Sequence, residues 1–191
     1  MSTTGHHLFS GSLIEDHLIQ EFARFERQVT GFDDLGELEE FAEDEDRFAR
    51  RTTVERCVIH RERADFDVDS HGTVTLTLPL SGNLNLLHTR TDAIRGVGPY
   101  VEITEDSFLS PKVEPHMTIT KSFDPDTDPQ TVRKWAKETV DSIEERLAKI
   151  HATVDDYNAS KAEQARALIE QRRKELESTA RLRDELDGPG I

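Results

Sequence analysis

The chain has 191 residues, of which 35% are hydrophobic, 6% aromatic and 33% charged, with a formal net charge of −15. That length suits one full domain or a compact domain with an extended appendage, and the lean apolar content fits long solvated helices better than a deep globule. The acidity disfavours general binding to phosphate backbones, the lone Cys57 excludes an internal disulfide, and no apolar run approaches the ~20 residues that cross a bilayer.

The charge is uneven. Residues 1–51 hold thirteen acidic and five basic side chains, 52–128 hold thirteen and seven, and 129–191 hold thirteen and twelve. Met1 to Gly11 carries neither the basic flank nor the apolar stretch of a signal peptide, so the expected location is cytoplasmic. Asn158-Ala159-Ser160 fits a glycosylation sequon, which has no meaning in that compartment.

In chain order, residues 1–11 read as a loose start, with His6 and His7 in a mobile terminus. Ser12 caps a predicted helix to about Val29 that Gly31 ends, with Leu13, Leu18, Phe22 and Phe25 among its apolar positions. Asp33 to Asp46 contains nine acids and no base, yet Leu35, Leu38 and Phe41 recur at helical spacing, predicting a second, acidic helix through Phe48. The period then falls to two. Val54 and Val58, and later Val74, Leu76, Leu78 and Leu80, alternate with polar residues as in a strand with one buried face. Asp69-Ser70-His71-Gly72 suits a hairpin with a bulge, and Ser81-Gly82-Asn83 marks the next change before Leu84 to His88. Tyr100–Thr104 and Met117–Phe123 are further strands, while Pro111 and Pro115 make 105–116 a loop.

Asp124-Pro125-Asp126-Thr127-Asp128-Pro129 is the clearest boundary, with Asp128 as helix cap and Pro129 at the first helical position. Val132, Ala136, Val140, Ile143, Leu147, Ile150, Val154 and Tyr157 then form one apolar stripe, and Ala162, Ala165, Ile169, Leu176 and Leu186 form a second, with Leu168 and Leu182 beside them. Ser160 with Glu163 is a capping-box pattern, predicting a break and an antiparallel helical hairpin. The competing reading is one unbroken helix. Leu186-Asp187-Gly188-Pro189-Gly190 stops the last segment.

Chemical signatures are sparse. Asp65-x-Asp67-x-Asp69 and Asp124-x-Asp126-x-Asp128 open like calcium loops, but Ser70 and Pro129 stand where glycine is needed, and Leu76 and Trp135 where glutamate is needed. Cys57 and His60 fall on opposite faces of a strand, which favours a buried structural cysteine. The eight histidines show no metal-ligand spacing, and no phosphate-binding glycine loop occurs, so no catalytic, cofactor or metal residues are expected. Arg166, Arg172, Arg173, Lys174, Arg181 and Arg183 are interleaved with acids in i,i+4 pairs, a solvated face; Arg172 alone falls near the apolar stripe.

Val154-Asp155-x-Tyr157-Asn158, then Ile169-x-x-Arg172-Arg173-x-x-Leu176, pairs a helix ending in an aromatic–asparagine couple with an arginine-rich helix. With Gly82 and its strand, this pattern resembles uncharacterised bacterial accessory proteins of conflict and anti-phage defence loci. The resemblance spans residues 73–188, and Asp187 separates a leucine and glycine that the pattern holds adjacent. It implies a partner such as an effector protein and carries over no catalytic residue.

The expected fold is α+β: N-terminal helices, a small antiparallel sheet of five or six strands, and a long C-terminal antiparallel helical hairpin. Its segments are 1–51 (acidic, helical), 52–128 (β) and 129–191 (hairpin). The expected function is a non-enzymatic interaction or scaffold subunit that assembles with itself or with an effector through Val140, Ile143, Leu147, Ile150, Ile169, Arg172, Arg173 and Leu176. Two alternatives belong to other classes. One is a hydrolase or nuclease-like enzyme using His60, His71, His88 and His116. The other is a nucleic-acid sensor reading through Arg172 and Arg173.

Overall fold

The structure, a computed structural model, describes residues 2–44, 48, 52–105 and 114–187. Its elements are β1 (Ser2–His7), α1 (Ile14–Thr30), α2 (Leu35–Glu43), β2 (Val58–Ile59), a 3₁₀ turn (Arg61–Arg63), β3 (Asp65–Val68), β4 (Thr73–Ser81), a second 3₁₀ turn (Leu84–His88), β5 (Tyr100–Glu105), β6 (His116–Ser122) and α3 (Pro129–Asp187). The class is α+β, as expected. Two compact units divide the chain: Met1–Glu15 with Glu55–Thr153, and Asp16–Val54 with Val154–Ile191.

The first unit holds the six-stranded antiparallel sheet, in the order β1-β5-β6-β4-β2, with β3 also paired to β4. Strand β4 shows the predicted period of two: Val74, Leu76, Leu78 and Leu80 are buried, while Thr73, Thr75 and Thr77 are half-buried. Val101, Ile103, Met117 and Ile119 extend the apolar face across β5 and β6. The hairpin between β3 and β4 forms where expected, with Gly72 at φ 79° and the Asp69 carboxylate accepting from the His71 and Thr73 amides. Gly82 is also left-handed, at φ 79°, and a Cβ there would lie 1.9 Å from the Arg56 carbonyl oxygen.

The start of the chain departs from expectation. Residues 2–7 form an edge strand, Ser2 opposite Glu105 through His7 opposite Tyr100, so His6 and His7 are not in a loose terminus. The Ser-Thr-Thr-Gly-His-His segment has no apolar alternation to announce a strand; its attachment to β5 is a ladder of backbone bonds, invisible in side-chain pattern. Phe9 then turns the chain at φ 56°, its amide on the Leu87 carbonyl and its ring buried.

The first part of α3 belongs to the sheet unit. Asp128 caps it as predicted, accepting from the Gln130 amide at 3.0 Å. Trp135 meets Phe123 edge-on at 5.4 Å, and Arg61 reaches Asp141 and Glu144 at 3.1 and 3.0 Å. Arg146 bonds the Gly96 carbonyl and lies over the Phe9 ring. Along the same stretch of helix Ala136, Val140, Ile143, Leu147 and Ile150 are buried.

The predicted helical hairpin does not form: α3 is one helix from Pro129 to Asp187. No glycine or proline interrupts residues 130–187, and Ser160 does not cap a new helix. Its hydroxyl donates instead to the Tyr157 carbonyl at 3.0 Å, a bond that leaves the helix intact. The second half of α3 needs no returning arm because α1 and α2 cover it. Phe25, Val29, Leu38, Phe41, Ala165 and Ile169 make the core of the second unit, flanked by Phe22, Phe32, Phe48, Leu168 and Leu176. Asp34 caps α2 by accepting from the Glu37 amide; the expected continuation to Phe48 crosses residues 45–47, which lie outside the described residues.

Candidate functional site

The residues expected to face a partner fall into two groups. Val140, Ile143, Leu147, Ile150 and Ile169 are all at most 5% exposed in the single chain, so in this conformation they are core and present no surface. Leu176 is partly buried against the helical core. Arg172 lies flat across the helical unit, donating from Nε and Nη2 to the Phe32 carbonyl at 3.1 and 2.8 Å and bonding Glu175. Arg173 pairs with Glu170 and with Glu39. Asn158 exchanges two hydrogen bonds with the backbone of Val54. The polar members of the motif therefore tie Phe32, Glu39 and Val54 to α3, a structural use of side chains that the sequence places beside the stripe without naming their partners.

Past Leu176 the helix loses its cover. Ser178 to Leu186 are all exposed, Leu182 to 57% and Leu186 to 67%. These two leucines sit four apart, on one side of the helix. Residues 170–187 carry six acids and five bases, near balance in a chain of net −15. This last stretch of α3, which the hairpin reading paired with the first apolar stripe, is the candidate docking surface.

The histidines do not converge. His71 sits exposed in the hairpin loop, and His116 is bonded through Nδ1 to the Glu114 carbonyl. His88 packs against His6, ring centroids 3.8 Å apart and planes tilted by 31°, and both are held below the ordinary imidazole value, mainly by burial. His60 stands apart: its Nε2 is 2.9 Å from Ser81 Oγ and its Nδ1 is 3.4 Å from a Glu62 carboxylate oxygen. That is the order of nucleophile, base and orienting acid. Glu62 is 65% exposed, however, and a carboxylate in water orients an imidazole weakly. Cys57 is buried, as predicted, and burial pushes its thiol up to about 12, which removes the thiolate a cysteine nucleophile needs. Among the described residues no group of three or more His, Cys, Asp or Glu is placed to hold a metal ion, and no helix is long and apolar enough to cross a membrane.

Compared with protein-family models, curated proteins and solved structures, the chain matches none.

Proposed function

We propose that this chain is a non-enzymatic interaction module that assembles through the last turns of α3, first of all with a second copy of itself. The observation that carries the reading is the exposed pair Leu182 and Leu186 on a helix whose apolar stripe is covered as far as Leu176. Apolar helical stripe left in water is stabilised by burial against another helix, at about 25 cal/mol per Å² removed from solvent. Charge favours the same place. Two chains of −15 repel over most of their surface, and least where acids and bases balance, as they do over residues 170–187. The resemblance to accessory proteins of bacterial defence loci supplies a setting, in which an effector protein takes the place of the second copy.

Light scattering over a wide concentration range tests this. The expected result is a dimer that the Leu182→Glu, Leu186→Glu double variant reduces to a monomer with unchanged helix content. A wild-type chain that stays monomeric at the highest concentration overturns self-assembly.

A second reading, a serine hydrolase, rests on Ser81, His60 and Glu62 alone. A fluorophosphonate probe that labels Ser81, and fails to label it in His60→Ala, supports that reading; no labelling removes it.

A further inference from the structure

We propose that the outer edge of β3 accepts an extended segment of another protein in which apolar and basic residues alternate. Among the described residues β3 pairs only with β4, so one side of it is open. The Asp69 amide bonds the Thr73 carbonyl at 3.0 Å, and the alternation of an antiparallel ladder then turns the backbone groups of Phe66 and Val68 outward. Those two amides are held by the side chains just before them, Phe66 N–H by Asp65 and Val68 N–H by Asp67, at 2.9 and 3.0 Å. An incoming strand can take over both amides and bond the two carbonyls.

The side chains specify what that strand must be. Phe66 lies opposite Leu76 and Val68 opposite Val74, so both share the face that is buried on β4, yet they are 44% and 60% exposed. With Val74, Phe123, Pro125 and Val132 they line an open hollow of about 370 Å³ beside the first turn of α3. Alternate residues of an added strand point into this hollow and are matched by apolar side chains. The residues between them point to the other face, beside Asp65 and Asp67, and are matched by lysine or arginine. Asp124 adds a third acid at the rim; Arg133 is the cation lining the hollow, and Lys121 is drawn over the Phe123 and Trp135 rings. A second copy of this chain is a poor occupant, because pairing β3 with itself sets Asp65 and Asp67 against like charges. Strand addition of this kind takes affinity from backbone bonds and specificity from alternate side chains. The surface is separate from the end of α3, and neither proposal depends on the other.

The test is fluorescence anisotropy on the full chain with three labelled peptides: alternating valine and lysine, the same residues in two blocks, and alternating valine and glutamate. The expected result is binding of the alternating valine–lysine peptide, about tenfold weaker binding of the block peptide, and none of the acidic one, since only the alternating basic peptide makes every cross-strand pair in register. Asp65→Asn with Asp67→Asn is expected to weaken binding about tenfold. Val68→Pro removes an outward amide without touching the β4 ladder and is expected to abolish it. If that variant does not fold, Phe66→Ser removes the apolar contact at an exposed position. Failure of the wild type to bind the alternating basic peptide, equal binding of the block peptide, or full binding by Phe66→Ser overturns the proposal.

Discussion

Asn158, in mid-helix, holds Val54 as one strand holds another: its Oδ1 accepts from the Val54 amide at 2.9 Å and its Nδ2 donates to the Val54 carbonyl at 3.0 Å. A side-chain amide thus completes the hydrogen bonding of a backbone segment whose side chain is buried. Asn158→Ala is expected to cost about 2 kcal/mol, because two bonds are lost and the Val54 groups are left without partners. Asn158→Asp keeps the acceptor for the Val54 amide but sets a carboxylate oxygen against the Val54 carbonyl, so it is expected to cost at least as much as alanine. Urea unfolding followed by circular dichroism, with hydrogen exchange at the Val54 amide, measures both.

Ser160 separates the continuous helix from the hairpin. As a cap, it would lose roughly 1 kcal/mol on change to alanine. Bonded back to the Tyr157 carbonyl inside one helix, Ser160→Ala is expected to leave stability unchanged or raise it by a few tenths of a kcal/mol. Urea midpoints of the two proteins distinguish the cases.

Ile143 is fully buried, so Ile143→Ala is expected to cost about 2–5 kcal/mol in unfolding free energy while leaving any dimer intact. If the substitution instead dissolves a dimer at little cost in stability, this face of α3 serves an interface and not the core.

The contacting pair His6 and His88 makes stability depend on pH. Both are held below 6.5, by burial first and, for His6, by the neighbouring His88 charge; Glu105 opposes the shift in each. A base whose folded value is depressed takes up protons more readily when unfolded, so stability is full above 6.5 and falls as pH drops below it. The carboxylates of Asp69, Glu114, Asp141 and Glu175 are held below their ordinary 3.8 or 4.5, so their contribution is lost only at lower pH. Urea midpoints from pH 8 to about 5 are expected to decline through the histidine window, and His88→Phe to flatten that decline.

Cys57 is expected to resist alkylation at neutral pH in the native state and to react only on unfolding, since its thiol is buried and pushed up to about 12. Iodoacetamide labelling with and without urea checks this; rapid labelling of folded protein contradicts it.

What was legible in the sequence was whatever local pattern encodes. The alternation of Val74 to Leu80, the turn glycine at 72, and Asp128 before Pro129 each carry their own geometry, and each forms as read. Two things were not legible. Strand β1 is specified by backbone pairing to residues about a hundred positions away, and an edge strand of Thr, Gly and His leaves no apolar trace. The stripe of α3 was legible, but not its cover. A helix records that it has an apolar face and not which element lies on it, so both halves read as partners for each other when sheet-unit contacts bury one and α1 and α2 bury the other. The partner of Arg172 was hidden for a related reason: the Phe32 carbonyl is a backbone atom, and every residue has one.

The helical unit draws its two pieces from residues 16–54 and 154–191. During translation the aromatic side chains of Phe25 and Phe41 emerge early, and the Ala165 and Ile169 that seal them follow more than a hundred residues later. At about 5–20 residues per second that interval lasts on the order of 5–25 s. For that time the nascent chain carries a greasy phenylalanine cluster whose own cover has not yet been made, so the early helices stay exposed to off-pathway association until the polymer is long enough to close on itself.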